Sequence, residues 1–281
     1  MTWNQKLHFV KDGTGDPILF VHGFGANLHT WDHLRTALAK RHEVFALDLK
    51  GFGDSPKPKD HRYSMADQAR LVAAFIDRHK LFKLTLVGHS MGGGVALMTA
   101  IELMRAANRS ICRLVLIDSP AYRQAFPSFI RVLRTPVVGQ LVAWMLPPRV
   151  QVKRVLREVF FKPERITASL VQTYAASLRS RGGRSALIQT AKEIVPREID
   201  TLIGDYANLH QPVLLIHGQH DTVVPLATSE QLARDLAHAT LEVIQDCGHA
   251  PQEERPHKTL EAIESFLETD SSPIIRKQAW K

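Results

Sequence analysis

The sequence predicts an α/β fold in which a mostly parallel sheet, covered by helices on both faces, carries an inserted helical segment. Short apolar runs alternate with amphipathic helical patterns over residues 16–119. Residues 120–205 have no convincing strand pattern, and their amphipathic stretches are punctuated by prolines. Strand and helix patterns alternate again over residues 213–268. Such alternation is typical of a parallel sheet built from strand–helix–strand units.

The first half contains four predicted strands, each a short and almost entirely apolar run, as a sheet buried on both faces requires. These strands are residues 16–21, 42–48, 84–87 and 114–117. The helices between them are predicted from apolar residues at helical spacing, and Ser64 is a suitable N-cap for the second one. These helices are residues 31–40, 64–79 and 94–107.

The second half repeats the pattern after the helical segment. Its predicted strands and helices are residues 213–216, 229–236, 240–244 and 257–268. The helical segment therefore interrupts a single α/β domain. We expect a core domain of residues 1–119 and 206–269, a helical cap (lid) of residues 120–205, and a C-terminal tail of residues 270–281.

The composition is that of a globular protein with a sizeable core. The chain has 281 residues, of which 44% are hydrophobic, so neither a metal nor a disulfide is needed to hold the fold. Only Cys112 and Cys247 are present, and we expect both to be reduced thiols. Residues 1–10 do not resemble a signal peptide, and no run approaches the roughly 20 apolar residues of a membrane span. These observations favour a cytoplasmic location.

The formal net charge of +8 is located entirely in the predicted cap. Residues 120–205 contain 14 basic and 6 acidic residues, whereas the rest of the chain has 22 of each sign. One interpretation is a solvated helical surface; another is a weak contact with anionic lipid or an acidic substrate, because Arg131, Arg134 and Arg149 are interleaved with apolar residues. No helix-turn-helix, zinc-finger or RNA-binding signature is present, so we do not expect nucleic acid as a partner.

A glycine-rich turn marks the predicted nucleophile. Residues 88–92 (GHSMG) fit the pattern G-x-S-x-G, follow an apolar strand and precede a helix. A serine at such a turn has strained backbone angles, and the flanking glycines remove side chains that would clash. The turn exposes the hydroxyl beside a helix N-terminus, where backbone N–H groups can stabilise negative charge. Ser90 is therefore the predicted nucleophile; the alternative is a glycine-rich turn with an inactive serine.

A second glycine-rich turn, residues 22–25 (HGFG), follows the first predicted strand. Glycines allow the backbone to approach a ligand closely. We expect the N–H groups of Phe24 and Met91 to form an oxyanion hole. A tight turn without a ligand role is the alternative, and His22 is expected to be structural.

Serine needs an adjacent base, and the base needs a carboxylate that orients it. His249 lies in a loop between the last strand and the last helix, with Gly248 and Pro251 beside it, and is the predicted base. Asp221 follows the strand at 213–216 and is the predicted acid. The chain order Ser, Asp, His is that of the serine hydrolases built on this kind of sheet.

Two other carboxylates compete with Asp221. Asp118 follows the strand at 114–117 and could reach the same region, so it is the main rival. Asp246 is only three residues from His249 and is expected to point elsewhere.

These motifs together resemble the α/β-hydrolase superfamily over residues 16–120 and 213–267. The resemblance rests on residues 22–25, 48–55, 88–93, 218–221 and 248–251. It implies an eight-stranded, mostly parallel sheet, shortened at its N-terminal edge, with an α-helical lid. Epoxide hydrolases and haloalkane dehalogenases have an aspartate where this chain has Ser90, which argues against both. The surroundings of Ser90 resemble those of carboxylesterases, small lipases and hydrolases that cleave C–C bonds in ring-cleavage products.

The predicted function is that of a serine hydrolase that cleaves a small to medium apolar carboxylic ester without a metal or organic cofactor. The alternatives are a C–C hydrolase acting on a vinylogous diketone and a weakly catalytic ligand-binding protein on the same fold. The ring-cleavage enzymes often carry a Ser-Gly-rich stretch after the His-Gly turn, from which residues 24–27 (FGAN) differ. The candidate wall residues of the substrate pocket are Phe24, Met91, Tyr122, Phe126, Phe129, Val132, Leu133, Val137, Leu141, Trp144, Met145 and Val223.

Overall fold

A seven-stranded sheet forms the centre of the computed structural model, which describes residues 6–269. The strands are β1 (Phe9–Asp12), β2 (Pro17–Val21), β3 (Glu43–Leu47), β4 (Leu84–His89), β5 (Ile111–Ile117), β6 (Val213–Gly218) and β7 (Ala239–Ile244). Their order is β1-β3-β2-β4-β5-β6-β7. Every neighbouring pair is parallel except β1 and β3. The predicted α/β class and mostly parallel sheet are confirmed, with one strand fewer than the eight that the resemblance implied.

Twelve α-helices accompany the sheet in the described part of the chain. They are α1 (Asp32–Leu38), α2 (Met65–Arg78), α3 (Met91–Arg105), α4 (Ser128–Arg134), α5 (Val138–Met145), α6 (Pro148–Val159), α7 (Ala168–Ser177), α8 (Arg181–Lys192), α9 (Ile199–Gly204), α10 (Leu226–Asp235), α11 (Pro251–Glu254) and α12 (Pro256–Glu268). Helices α4–α9 lie within residues 120–205. The structure describes every residue of this segment, and it contains no strand. The predicted tail, residues 270–281, lies outside the described residues.

Within residues 6–269, no helix has both the length and the apolar character that a membrane span requires. Cys112 and Cys247 are both free thiols in the structure.

Two elements differ from the sequence-based expectation. Strand β1 was not predicted, because its four residues are only partly buried and its ladder forms with β3, as in the pairing of Phe9 with Leu47. Helix α3 begins at Met91 rather than residue 94, although the three glycines that follow have poor helix propensity. Tertiary packing outweighs that propensity: these glycines are fully buried against the sheet and the neighbouring loops.

The sheet separates two apolar layers, because successive strand residues point to opposite faces. On β5, Leu114 and Leu116 join the cluster that contains α2, α3 and the cap helices, whereas Val115 and Ile117 join the cluster beneath α1 and α12. The loops that follow the carboxyl ends of the parallel strands meet at one edge of this sheet. Ligand sites in open α/β sheets form at this edge, and the predicted site residues lie there.

Candidate active site

Ser90 occupies the sharp turn between β4 and α3. Its backbone has φ 52° and ψ −126°, in the left-handed half of conformational space, where side chains are strained. The turn is held by a hydrogen bond of 2.8 Å from the Ser90 N–H to the Ile117 carbonyl of the neighbouring strand. A Cβ atom on Gly92 would lie 2.3 Å from the His22 carbonyl oxygen, so only glycine allows the two turns to approach this closely.

His249 lies in the loop between β7 and α11, and its ring faces Ser90. His249 Nε2 is 2.8 Å from Ser90 Oγ. The His249 N–H donates to the carbonyl of Val159 at 2.8 Å, and the His249 carbonyl lies 2.6 Å from Nε2 of His89. The backbone of this histidine is thereby held on both sides, which orients its ring toward the hydroxyl.

Asp221 completes a chain of hydrogen bonds on the far side of His249. Its Oδ2 lies 2.7 Å from His249 Nδ1, while Oδ1 accepts the N–H groups of Val223 at 2.6 Å and Val224 at 3.0 Å. Burial would raise the pKa of Asp221, but the charge and hydrogen bond of His249, together with the backbone donors, outweigh it and lower the pKa. An ionised Asp221 places the proton on Nδ1, so Nε2 is free to accept the Ser90 proton.

The rival carboxylate, Asp118, is buried beside Asp221 rather than used by His249. Its Oδ1 accepts the Gly218 N–H at 2.9 Å, and its Oδ2 has no donor within residues 6–269. Burial, and then the negative charge of Asp221, raise the pKa of Asp118 well above its ordinary value. Two adjacent carboxylates in one buried site cannot both ionise easily, so Asp118 holds its proton more tightly than Asp221 does.

Asp246 lies outside the site. Its side chain is 57% exposed and pairs with Arg255, with Nη2 and Oδ2 3.0 Å apart.

Three other buried histidines surround the site and are held neutral, because burial lowers the pKa of His22, His89 (to about 3) and His217. Nε2 of His22 accepts the Leu49 N–H at 3.0 Å, so its Nδ1–H donates to the Gly23 carbonyl at 2.8 Å. His22 thus fixes the glycine-rich turn at 22–25, a structural use of this side chain.

The two predicted oxyanion donors, Phe24 and Met91, lie on segments that adjoin Ser90. A Cβ atom on Gly23 would lie 3.1 Å from Ser90 Cβ, so the turn that carries Phe24 passes directly beside the serine. Met91 is the first residue of α3, where N–H groups have no partner within the helix. The positive end of the α3 dipole also points here. Both amides thus belong to segments next to the serine, which is where the predicted oxyanion hole requires them.

An apolar cavity of about 100 Å³ opens beside Ser90 between the sheet edge and the cap. Its described lining includes Ser90 and no Asp, Glu, His, Lys or Arg. The Tyr122 hydroxyl at its wall is used by a hydrogen bond of 2.6 Å to Asp235. The predicted wall residues along this cavity are Phe24, Met91, Tyr122, Phe126, Phe129 and Val223.

The structure places the remaining predicted wall residues elsewhere, which corrects that part of the prediction. Leu133 is buried in the apolar cluster, but it does not border the cavity. The others are exposed on the outer face of the cap: Val132, Val137, Leu141, Trp144 and Met145. The reason is helix geometry. Helix α4 directs Phe129 and Ile130 inward, and α5 packs against α4 at Gly139 and buries Ala143 on the same side, so the opposite side of α5 points away.

A second stretch of the cap lines the cavity and was not predicted. It comprises Ile194, Val195, Pro196, Ile199, Leu202 and Tyr206. The helical spacing of residues 199, 202 and 206 was visible in the sequence, but it only indicates an apolar face and not what that face covers.

Glu254 is a further unpredicted residue, and it supports the loop of His249. Its Oε1 accepts the Gly248 N–H at 2.8 Å, and its Oε2 accepts the Phe161 N–H of the cap at 3.0 Å. Burial raises its pKa, although these backbone donors and Arg165 oppose that shift. The buried carboxyl therefore ties the His249 loop to the end of α6.

Two overlapping groups of side chains bring potential metal ligands within 4.8 Å of one another. They are His89, Asp118 and His249, and Asp118, His217 and Asp221. In both groups, His249 or Asp221 already takes part in the hydrogen bonds around Ser90. Coordination would break the contacts that orient the base.

Comparison with known proteins points to one family. The family model described as the alpha/beta hydrolase fold matches residues 16–256. The chain is 31% identical over 280 residues to 2-hydroxymuconate semialdehyde hydrolase of Pseudomonas sp. strain CF600, covering 96% of this chain and 92% of that one. It is 29% identical over 273 residues to 2-hydroxy-6-oxo-2,4-heptadienoate hydrolase of Pseudomonas putida, covering 93% and 92%. The solved structure of a thermophilic esterase from Thermogutta terrifontis is similar, with a TM-score of 0.78, 26% identity, and coverage of 95% and 94%.

Proposed function

This chain belongs to the α/β-hydrolase family, and from that premise we propose that it is a serine hydrolase that cleaves carboxylic esters of small to medium apolar substrates. One observation carries the proposal. Ser90, His249 and Asp221 form an unbroken chain of hydrogen bonds, 2.8 Å and 2.7 Å long, whose serine end opens into an apolar cavity. A hydroxyl paired with an oriented imidazole is an activated nucleophile.

In the acylation step, Ser90 Oγ attacks the ester carbonyl carbon while His249 Nε2 takes its proton. The carbonyl oxygen becomes an oxyanion and accepts hydrogen bonds from the Phe24 and Met91 amides. Asp221 stabilises the imidazolium that forms. The C–O bond to the alcohol then breaks, His249 gives its proton to the leaving oxygen, and the acyl group remains on Ser90.

Deacylation repeats these steps with water. His249 removes a proton from a water molecule, whose oxygen attacks the acyl carbon. The bond to Ser90 Oγ breaks, and Oγ recovers the proton from His249. The products are a carboxylic acid and an alcohol, and the enzyme returns to its starting protonation state.

The cavity supports an apolar substrate of limited size. Its volume is about 100 Å³, which at about 30 Å³ per molecule corresponds to roughly three water molecules. No charged side chain lines it in the described structure, so a carboxylate buried there would lose its hydration without gaining a partner. These features favour an alkyl or aryl ester over an anionic substrate.

A second candidate function is hydrolysis of a C–C bond in a ring-cleavage product, with the same three side chains. The observation that favours it is the similarity to two bacterial hydrolases whose names denote such compounds. Those names also denote carboxylates, and the apolar lining of the cavity offers no cation to bind one. The third possibility is a ligand-binding protein with weak catalysis.

A substrate panel separates these functions. The wild-type chain and Ser90→Ala should be assayed with p-nitrophenyl esters of increasing acyl length and with a vinylogous diketone from aromatic ring cleavage. We expect turnover of short and medium esters, and a loss of roughly 10⁴- to 10⁶-fold in Ser90→Ala with an unchanged circular dichroism spectrum.

The other results would assign the protein differently. A kcat/KM for the diketone above that for every ester would favour the second function. Equal ester rates in the two proteins would reject Ser90 as the nucleophile. Binding of the esters without turnover in the wild type would favour the ligand-binding function.

A further inference from the structure

The cap has a second apolar face, directed away from the cavity. Six large apolar side chains are exposed along the α4–α5 turn, α5 and the start of α6: Val137, Val138, Leu141, Trp144, Met145 and Val150. We call these six residues the outer patch. On α5 they recur at helical spacing and so form one continuous stripe. Outside the cap, Phe82 is the one large apolar side chain found exposed among the described residues.

The outer patch cannot be turned inward by a small adjustment. Helix α5 packs closely on α4, because a Cβ atom on Gly139 would lie 2.4 Å from the Leu133 carbonyl oxygen. Ala143, one turn further on the same side of α5, is completely buried. Since α4 directs Phe129 toward the cavity, the hairpin of α4 and α5 has one apolar face on the cavity and another in solvent.

The backbone of the turn between α4 and α5 is strained, and this strain lowers the stability of the fold. Val137 has φ 63° and is 66% exposed. A β-branched residue in the left-handed region is disfavoured, whereas glycine or asparagine would fit this turn without strain. An exposed valine here therefore costs stability and gains little internal contact.

Basic side chains lie on α4 and α6, the helices that precede and follow α5 in the chain. Arg131, Arg149, Lys153 and Arg154 are all exposed, and we call these four residues the basic rim. In the part of the chain that the structure describes, none of the four pairs with a carboxylate, and Arg149 contacts only the neutral amide of Gln172. They belong to the segment that contains the whole net charge of +8. The surface is thus an apolar stripe with a positively charged rim.

We propose that the outer patch and its basic rim dock the protein onto a membrane surface rich in anionic phospholipid, with α5 lying in the plane of the interface. An apolar helical face flanked by Arg and Lys is the arrangement that binds such interfaces, where acyl chains cover the apolar stripe and phosphates meet the cations. A second copy of the chain fits less well, because two strongly basic caps would face each other. This inference does not rest on the proposed hydrolase function.

Vesicle binding of the full chain tests the proposal. Sedimentation with phosphatidylcholine vesicles, with and without phosphatidylglycerol, should show at least about tenfold tighter binding to the anionic vesicles, weakened by added salt. Leu141→Ser with Met145→Ser, and separately Arg149→Gln with Lys153→Gln and Arg154→Gln, should each lower this binding at least about tenfold.

Matched control variants lie on the core. Phe82→Ser removes a comparably exposed apolar side chain, and Lys40→Gln with Lys80→Gln and Lys83→Gln removes three exposed charges. These controls should bind within about twofold of the wild type, and every variant should keep the wild-type circular dichroism spectrum and thermal midpoint. Tryptophan emission should shift to shorter wavelength on anionic vesicles, and Trp144→Phe should abolish the shift.

Three results would overturn the proposal. One is equal binding to neutral and anionic vesicles, and another is an equal loss of binding in the cap and core variants. The third is a dimer in solution that Leu141→Ser with Met145→Ser dissociates, without any vesicle binding, because the patch would then be an interface between two copies. Ser90→Ala should bind vesicles like the wild type, so failure of docking and failure of the hydrolase function are separate outcomes.

Discussion

The core and the cap use their apolar side chains in opposite ways. Strand β6 of the core is buried along its whole length, as a strand with helices on both sides must be. Helix α5 of the cap buries only Gly139 and Ala143, and most of its larger side chains face solvent. The core therefore holds the reacting groups rigidly, whereas the cap shapes the cavity on one face and presents a surface on the other.

The core and the cap meet at His249, the general base of the proposed triad. The His249 N–H donates to Val159 of the cap, and Glu254 joins the same loop to Phe161. Nearby, Tyr174 of α7 donates a hydrogen bond of 2.6 Å to Glu253 of α11. The cap is thus more than a cover, because its backbone helps to position a histidine that belongs to the core.

The largest expected effect compares two carboxylates within the core. Asp221→Asn should lower kcat for an ester by about 10⁴-fold, because it loses the charge that holds the His249 tautomer. Asp118→Asn should lower kcat by less than about tenfold, because Asp118 makes no hydrogen bond to His249 in the described structure and its raised pKa favours a neutral group that asparagine imitates. Steady-state kinetics measures both effects, and circular dichroism checks that both variants are folded like the wild type. The reverse order would make Asp118 the orienting acid.

The next prediction compares stability in the two regions. Leu215→Ala in β6 should lower the free energy of unfolding by about 2–5 kcal/mol, because it leaves a cavity in a close-packed layer. Met145→Ala should change it by no more than about 0.5 kcal/mol, because that side chain is 74% exposed. Urea unfolding measures both values. A large loss in Met145→Ala would show that the outer face of α5 is covered in solution.

A smaller effect is expected at the inner face of α4. Phe129→Ala should raise KM for medium-chain esters about tenfold and change kcat less, because it removes an apolar contact that is made equally in the ground state and the transition state. Val132→Ala, on the exposed side of the same helix, is the matched control and should leave both constants unchanged. Equal effects of the two substitutions would indicate a general disturbance of α4 instead of a wall contact.

The smallest effect concerns the contact between the regions. Burial raises the pKa of Glu253 to about 7, against hydrogen bonds that would lower it. The folded state holds the Glu253 proton more tightly than the unfolded state does. The contribution of protonated Glu253 to stability is therefore complete at low pH and is lost as pH rises through about 7. Glu253→Gln should remove this dependence, so the wild type should lose stability relative to the variant between about pH 5 and pH 8.

Thermal midpoints of the two proteins across that pH range measure the difference. The exposed Glu268→Gln should reproduce the wild-type pH dependence and serves as the control. A wild type and a Glu253→Gln variant with parallel midpoints would show that Glu253 is ionised in the folded protein at all these pH values.

The sequence was most informative where a feature depends on neighbouring residues. Nearly all-apolar runs predicted the central strands, and residues 88–92 predicted the turn at which Ser90 adopts φ 52°. The order of Ser90, Asp221 and His249 in the chain predicted that these three side chains act together, and the structure brings the first two within hydrogen-bond distance of His249. Strand β1 was not predicted, because its four residues, three half-buried and one exposed, show too little pattern without their partner β3.

By itself, the sequence determined the α/β class, the helical character of residues 120–205 and the concentration of positive charge there, because periodicity and charge are local properties of a chain. Only the tertiary structure decided which apolar residues of the cap line the cavity, that Glu254 supports the loop of His249, and that Asp118 is buried beside Asp221, which raises the pKa of Asp118. Each of these depends on which distant residues share a buried space. The hydrophobic spacing of α5 is the same whether its apolar stripe faces a cavity or solvent, and the packing of α4 against it makes the choice.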